Sequence, residues 1–355
     1  MKKTEWTYYN LHNVLRVRVE KGHPSEYAAR FVFGPFQTDP LDEVDLSLQF
    51  EPPGIGQHCI ASYSYLFTEN HVYLKQYKMH IARDGAAFVL AGKRDLVPYI
   101  GPVMQWLLMQ KDHSMVHSAA VAVGGRGILL PGWGGTGKTS AITCLLKDVA
   151  DTSFLSDDYT ILSAKGELLA YPKAFFIYPY HRGLFPHLFK AKHKPLVPPV
   201  LSGLLERIRT VVRPICMAFP RLENLARRLT PEHMQVPARL ALPQANFCDK
   251  APLQTVLFVE RHSADKTELD RMDPAEAVPK MVGNWYYEQG RCGQDAFLAL
   301  GATAVIPAPE YFSKMASIIE AACRDRPIFC LRMGQMSPAQ IGKAVVDAVR
   351  EVTAR

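Results

Sequence analysis

Hydrophobic and polar residues alternate over much of the first 95 positions of the chain. Side chains that are β-branched or aromatic fill many of the apolar positions, which favours strands over helices. The pattern predicts strands at residues 14–20, 29–36, 44–50 and 71–81. Arg83-Asp84-Gly85 is typical of a hairpin turn leading into residues 86–92. We therefore expect a β-rich N-terminal domain over residues 1–95.

Strand patterns and helix patterns take turns from residue 96 onwards. Strands are predicted at 116–123, 127–132, 152–158, 255–261 and 328–333, with a hairpin over 159–172 that turns at Lys165-Gly166. Helices are predicted at 95–111, from Lys138 onwards, at 313–322 and at 338–352. This order is typical of an α/β core, so residues 96–355 are expected to form the second domain.

One stretch of the chain is distinctly basic. The 355 residues carry a net charge of +7, and Lys190 to Arg239 holds ten lysines and arginines against three acids. We expect a basic helical insertion over 190–239, which would serve as a lid, as a docking surface for an acidic peptide, or as a solvated face. Aromatic residues do not interleave with these charges, so nucleic-acid binding is not favoured.

Cysteine usage and hydropathy indicate the compartment. The seven cysteines include no Cys-x-x-Cys pair, which favours reduced thiols in a cytoplasmic protein. The first residues lack the apolar segment of a signal peptide, and no window is long and apolar enough for a membrane span. Whether the chain forms a homo-oligomer stays open.

The densest chemical signal lies between an apolar strand and a helical segment. Residues 132–139, GWGGTGKT, match the pattern G-x-x-x-x-G-K-[ST] at every fixed position. Glycines let successive backbone N–H groups turn inward around a phosphate, and the helix that follows adds its N-terminal dipole. The predicted nucleotide-binding residues are Gly132, Trp133, Gly134, Gly135, Thr136, Gly137, Lys138, Thr139 and Ser140. Lys138 would contact the β- and γ-phosphates of ATP, and the Thr139 hydroxyl would bind Mg²⁺.

Two adjacent acids follow the next predicted strand. Asp157 and Asp158 stand nineteen and twenty positions after Lys138. If their strand neighbours the glycine-rich strand, both carboxylates come near the phosphates. One would accept the proton of an attacking hydroxyl, and the other would help to bind the metal.

The order of these features resembles the HPr kinase/phosphorylase family and its wider set of HPr-kinase-like proteins. The matching features are His117 on a strand, the glycine-rich motif, the Asp157-Asp158 pair and a β-hairpin. The resemblance implies a P-loop kinase core of the type shared with phosphoenolpyruvate carboxykinase. It also implies that Asp157 is the general base, that Asp158 and Thr139 lie on the metal side, and that His117 is an active-site histidine. Residues 171–187 retain only Arg182-Gly183 of the family's Leu-Glu-x-Arg-Gly signature, so the acceptor is left open.

The expected activity is that of an ATP- and Mg²⁺-dependent kinase. We expect phosphoryl transfer to an alcohol, with a serine hydroxyl of a protein or peptide as acceptor and catalysis by Asp157, Lys138 and His117. A kinase for a free small hydroxyl compound is an alternative. A P-loop ATPase that polarises water with Glu260, and a nucleotide-binding regulatory module, are two more.

Overall fold

The computed structural model describes residues 4–54, 59–190, 234–263 and 266–354. They form a mixed α/β structure. Residues Met1–Lys173 and Gln244–Arg355 make one compact unit, and Ala174–Pro243 make a second. Within the described ranges, no helix has the length and apolar character needed to cross a membrane.

Strands alternate with helices along the described chain. The strands are β1 (Trp6–Leu11), β2 (Leu15–Glu20), β3 (Gln37–Thr38), β4 (Leu46–Gln49), β5 (Ile60–Ala61), β6 (Tyr65–Phe67), β7 (His71–Leu74), β8 (Met79–Asp84), β9 (Ala87–Gly92), β10 (His113–Val123), β11 (Arg126–Pro131), β12 (Thr152–Ser156), β13 (Tyr159–Ser163), β14 (Glu167–Leu169), β15 (Phe175–Ile177), β16 (Met234–Val236), β17 (Asn246–Phe247), β18 (Lys250–Arg261), β19 (Thr267–Arg271) and β20 (Ile328–Met333). The helices are α1 (Ser25–Phe33), α2 (Gly101–Met109), α3 (Lys138–Asp148), α4 (Pro186–Lys190), α5 (Ala238–Ala241), α6 (Pro274–Glu288), α7 (Gly290–Ala302), α8 (Ala308–Cys323) and α9 (Pro338–Ala354). Short 3-10 turns lie at Gly34–Phe36, Val97–Tyr99 and Pro179–Gly183.

The first sheet has the strand order β3-β1-β2-β4-β9-β8-β7-β6-β5. Buried and partly exposed residues alternate along strand β2, so one face of this strand packs against the core while the other faces outward. The predicted hairpin at Arg83-Asp84-Gly85 is confirmed: Asp84 pairs with Ala87, and Gly85 has a φ of 58°. Strand β2 and this hairpin therefore follow the pattern of the sequence.

The strand predicted at 29–36 is wrong, since Ser25–Phe33 is helical. Ala29 and Phe33, four residues apart, are buried on one side of α1, and Glu26 pairs with Arg30 on its surface at 2.9 Å. The predicted strand 71–81 is instead two strands, β7 and β8, with a turn at Lys75–Lys78 between them. In α1, burial of Ala29 and Phe33 decided the structure over the β propensity of the residues.

The second sheet carries the glycine-rich motif. Its strand order is β17-β12-β10-β13-β14-β18-β20-β19, and β11 pairs with β10 and β18. Strands β11, β18 and β20 run parallel. Strands β11 and β12 are both antiparallel to β10, so they point the same way. The carboxyl ends of β11, β12, β18 and β20 therefore lie at one edge of the sheet, where open α/β sheets bind ligands.

Helices and both sheets bury a common set of apolar side chains. Leu46 and Leu90 of the first sheet belong to the same buried cluster as Leu129 and Val256 of the second. Trp106 of α2 also belongs to this cluster and stacks on Tyr311 of α8, with ring centroids 6.3 Å apart. One hydrophobic core thus supports the edge that carries the motif.

The second unit, Ala174–Pro243, contains the antiparallel pair β15 and β16. Residues 191–233 of the basic segment lie outside the described residues, so the predicted helical insertion over 190–239 is not described there. The described part that follows is β16 and the one-turn helix α5.

Candidate active site at the glycine loop

Residues Gly132–Gly137 connect β11 to α3, and we call this segment the glycine loop. A Cβ atom at Gly132 would lie 2.6 Å from the carbonyl oxygen of Val259. Gly137 has a φ of 98°, and a Cβ atom there would lie 2.6 Å from Ile341. Only glycine fits at these two positions, because one touches a neighbouring strand and the other has a left-handed backbone.

The side chain of Lys138 folds back onto the glycine loop. It is buried, and its Nζ donates hydrogen bonds to the carbonyl oxygens of Gly132 at 2.7 Å and Trp133 at 3.0 Å. Burial lowers the pKa of Lys138, and the neighbouring carboxylates, Asp158 first among them, oppose that effect. A phosphate ligand would give this ammonium group the anionic partner that the loop carbonyls replace only in part.

The other predicted loop residues fall into exposed and inward-facing sets. Trp133 is 41% exposed, whereas Thr136 is buried with its hydroxyl donating to the Trp133 carbonyl at 2.9 Å. Gly135 adopts a φ of 80°, and the Ser140 side chain is buried within α3. The tryptophan is thus the one large side chain that the loop presents at its surface.

Asp157 follows β12 and contacts the start of α3. The Thr139 hydroxyl donates to Asp157 Oδ2 at 3.0 Å. The other oxygen, Oδ1, is buried and has no hydrogen-bond partner among the described residues. Burial, and then the Asp158 charge, raise the pKa of Asp157 to about 7. An unpartnered carboxylate oxygen with this pKa is suited to accept a proton near neutral pH.

Asp158 has the opposite surroundings. Its Oδ1 lies 3.0 Å from His117 Nε2, and its Oδ2 forms an ion pair with Lys173. Burial alone would raise the pKa of Asp158, but Lys173 and His117 together hold it well below its ordinary value. The adjacent acids therefore differ: Asp158 is ionised and held on both sides, while Asp157 titrates near neutrality.

His117 is buried between two hydrogen-bond acceptors. The Asn284 amide nitrogen donates to the carbonyl oxygens of His117 at 3.3 Å and Gly132 at 3.0 Å, which fixes its Oδ1 toward His117 Nδ1 at 3.2 Å. The other ring nitrogen faces the Asp158 carboxylate. Each ring nitrogen therefore has an oxygen within hydrogen-bond distance, and the ring links Asn284 to Asp158.

Three further residues join this site. Lys173 follows the hairpin and forms an ion pair with Asp158. Asn284 and Glu288 lie on α6, a helix that the sequence reading did not place. The available signal for Asn284 was a polar residue three positions after Met281, on the buried face of that helix. Glu288 carried no local signal, because its contact is with Gly134, 154 positions away.

The Glu260 carboxylate, which the ATPase alternative requires, contacts two basic side chains. The Glu260 carboxylate accepts from Lys280 at 2.8 Å and has Arg332 at 3.7 Å. His181 and Arg182 belong to the second unit.

The residues fit a magnesium site of the kind completed by phosphate oxygens. In the described part of the chain, no group of three or more His, Cys, Asp or Glu residues is arranged to hold a metal ion. Mg²⁺ commonly uses one or two protein oxygens together with substrate phosphates and water. The Thr139 hydroxyl supplies one such oxygen beside the glycine loop, and the ionised Asp158 carboxylate, next to Asp157 in the chain, adds negative charge.

Neither the family models nor the curated proteins match this chain. Its function therefore has to be inferred from the site.

Proposed function

We propose that the protein is an ATP- and Mg²⁺-dependent kinase that transfers the γ-phosphoryl group to a serine hydroxyl of a protein or peptide. The observation that carries this proposal is the Asp157 carboxylate. It contacts Thr139 through one oxygen, keeps the other unpartnered, and has a pKa raised to about 7. A nucleotide-binding module does not need such a base, whereas transfer to an alcohol does.

The residues divide the work of phosphoryl transfer. The amides of the glycine loop and the Lys138 ammonium would hold the triphosphate of ATP. Thr139 would bind Mg²⁺, with the ionised Asp158 supporting the charge, and the ion would neutralise phosphate oxygens. Asp157 Oδ1 takes the hydroxyl proton as the acceptor oxygen bonds to the γ-phosphorus. The bond from that phosphorus to the bridging oxygen breaks, and ADP leaves.

Two side chains that contact Asp158 complete the arrangement. His117 and Lys173 both contact Asp158, so the acid next to the base stays charged. This fixed negative charge contributes to the raised pKa of Asp157. We propose that His117 is a positioning residue that acts through Asp158.

We also propose that the second sheet is a P-loop kinase core of the HPr-kinase type. The support is the order of a strand histidine, the glycine loop, an Asp-Asp pair and a hairpin, with the first three brought into one site. The ATPase alternative is less well supported, because the ion pairs with Lys280 and Arg332 occupy the Glu260 carboxylate.

The proposal is tested by comparing ADP with free phosphate. Purified protein, Mg²⁺ and ATP are incubated with dephosphorylated extract of the source cells, and both products are quantified. A kinase forms ADP in excess of free phosphate, and Asp157→Asn removes that excess. Equal amounts of ADP and phosphate, in wild type and Asp157→Asn alike, would contradict the proposal.

A further inference from the structure

The glycine loop already holds an anion that belongs to the chain itself. The Gly134 amide donates to Glu288 Oε1 at 2.7 Å, a short charge-assisted hydrogen bond. A Cβ atom at Gly134 would lie 3.1 Å and 3.4 Å from the two carboxylate oxygens of Glu288. The carboxylate therefore sits directly over the loop backbone, where inward N–H groups favour negative charge.

The position of Glu288 is fixed by its neighbours. It is the last residue of α6, and its own carbonyl oxygen accepts from the Tyr159 hydroxyl at 3.2 Å. The preceding residue, Tyr287, packs edge-on against Trp133 with ring centroids 5.6 Å apart. The Glu288 charge also acts on Lys138. The end of α6 thus contacts the glycine loop through Tyr287 and Glu288 and contacts β13 through Tyr159.

A phosphate that approaches the Gly134 amide meets this carboxylate. Two like charges a few ångströms apart repel each other, and the repulsion weakens anion binding by roughly tenfold or more at a partly exposed site. A divalent cation between them reverses the sign of the interaction, because carboxylate and phosphate oxygens are the ligands that Mg²⁺ prefers.

We propose that Glu288 is a specificity-determining residue that makes the glycine loop select metal-complexed over metal-free nucleotide phosphates. This inference rests on the proposed nucleotide site. Metal-free ATP has to displace the Glu288 carboxylate from Gly134. In Mg-ATP, the positive charge of Mg²⁺ compensates the negative charge of that carboxylate. Glu288 therefore sets how strongly Mg²⁺ promotes nucleotide binding.

The test is a binding cycle on the full chain. Dissociation constants for ATP are measured by calorimetry, with excess Mg²⁺ and with EDTA, for wild type, Glu288→Gln and Glu288→Ala. Glutamine keeps an oxygen that accepts from Gly134 and removes only the charge. Glu310→Gln is the matched control, because Glu310 is an exposed acid on another helix. Thermal melts verify that each variant is folded.

Glu288→Gln is expected to tighten binding of metal-free ATP about tenfold and to change Mg-ATP binding by less than about threefold. Glu288→Ala should also tighten the binding of metal-free ATP, and Glu310→Gln should bind both forms of ATP like wild type. If wild type binds ATP and both Glu288 variants bind metal-free ATP with the same affinity as wild type, the inference is overturned and the kinase proposal stands. No ATP binding in any folded variant, with or without Mg²⁺, overturns both.

Discussion

Replacing Asp157 by asparagine is expected to stabilise the protein at neutral and alkaline pH. The folded state raises the pKa of this carboxyl from 3.8 to about 7, mainly because it is buried. The folded protein therefore holds the proton more tightly than the unfolded chain does. Between these two values the free energy of unfolding falls as the pH rises, and the cost of the ionised group is fully present above pH 7.

The size of the effect follows from the two pKa values. Each unit of separation corresponds to about 1.4 kcal/mol, so wild type loses about 3 kcal/mol of stability to this group between pH 5 and pH 8. Asparagine does not titrate and can still accept from Thr139. The advantage of Asp157→Asn over wild type should accordingly grow by about 3 kcal/mol over this interval.

Urea unfolding monitored by tryptophan fluorescence, at pH 5, 6, 7 and 8, measures this difference. Asp151→Asn is the control, since Asp151 is an exposed aspartate six positions earlier in the chain. A constant difference between Asp157→Asn and wild type across the series would refute the assignment of a buried base with a raised pKa. The buried base thus lowers the stability of the folded protein, as functional sites often do.

Three other substitutions test the site from different sides. Lys138→Ala should weaken ATP binding by more than about 100-fold while the protein remains folded, since the Lys138 ammonium donates its hydrogen bonds to carbonyl oxygens of the loop itself. Calorimetry measures the affinity, and a thermal melt measures the stability. Gly132→Ala should destabilise the protein by about 1–3 kcal/mol because its Cβ meets a neighbouring strand, whereas Gly283→Ala, where the space is open, should be neutral or stabilising in the same melts. Lys173→Met should lower the unfolding free energy by about 2 kcal/mol in urea, because Asp158 loses its ion-pair partner, and an unchanged value would show that this pair adds nothing.

The sequence predicted the parts of the site that depend on local signals. The glycine loop, the strand before it and the helix after it were all recognisable, because glycine, lysine and threonine occupy fixed positions between two apolar segments. The hairpin over 159–172 was predicted for the same reason, as Lys165-Gly166 interrupts alternating residues. Strands β12, β18 and β20 also lie where period and composition placed them.

The remaining features depend on contacts between distant residues. Asn284 meets His117 across 167 positions, and Glu288 meets Gly134 across 154 positions. No periodicity within a short window reports such a contact. The helix at Ser25–Phe33 was read as a strand because its aromatic and β-branched residues favour strands in isolation, and burial of Ala29 and Phe33 overrode that preference.

The division of roles between the two acids was only partly accessible from the sequence. Adjacent aspartates after a strand predicted one base and one metal-side acid, and the resemblance assigned which was which. The structure adds the reason for their difference, since Lys173 and His117 contact Asp158 while Asp157 Oδ1 has no partner among the described residues. This asymmetry is the main support for Asp157 as the base.

The central claim is that this site transfers a phosphoryl group to a hydroxyl acceptor, and label transfer tests it most directly. Protein, Mg²⁺ and γ-labelled ATP are incubated with dephosphorylated extract of the source cells, and label is measured in macromolecules, small molecules and free phosphate. We predict label in protein or peptide that is lost with Asp157→Asn, although this variant still binds Mg-ATP. Label confined to the small-molecule fraction would identify a metabolite kinase, and label found only in free phosphate would contradict the claim.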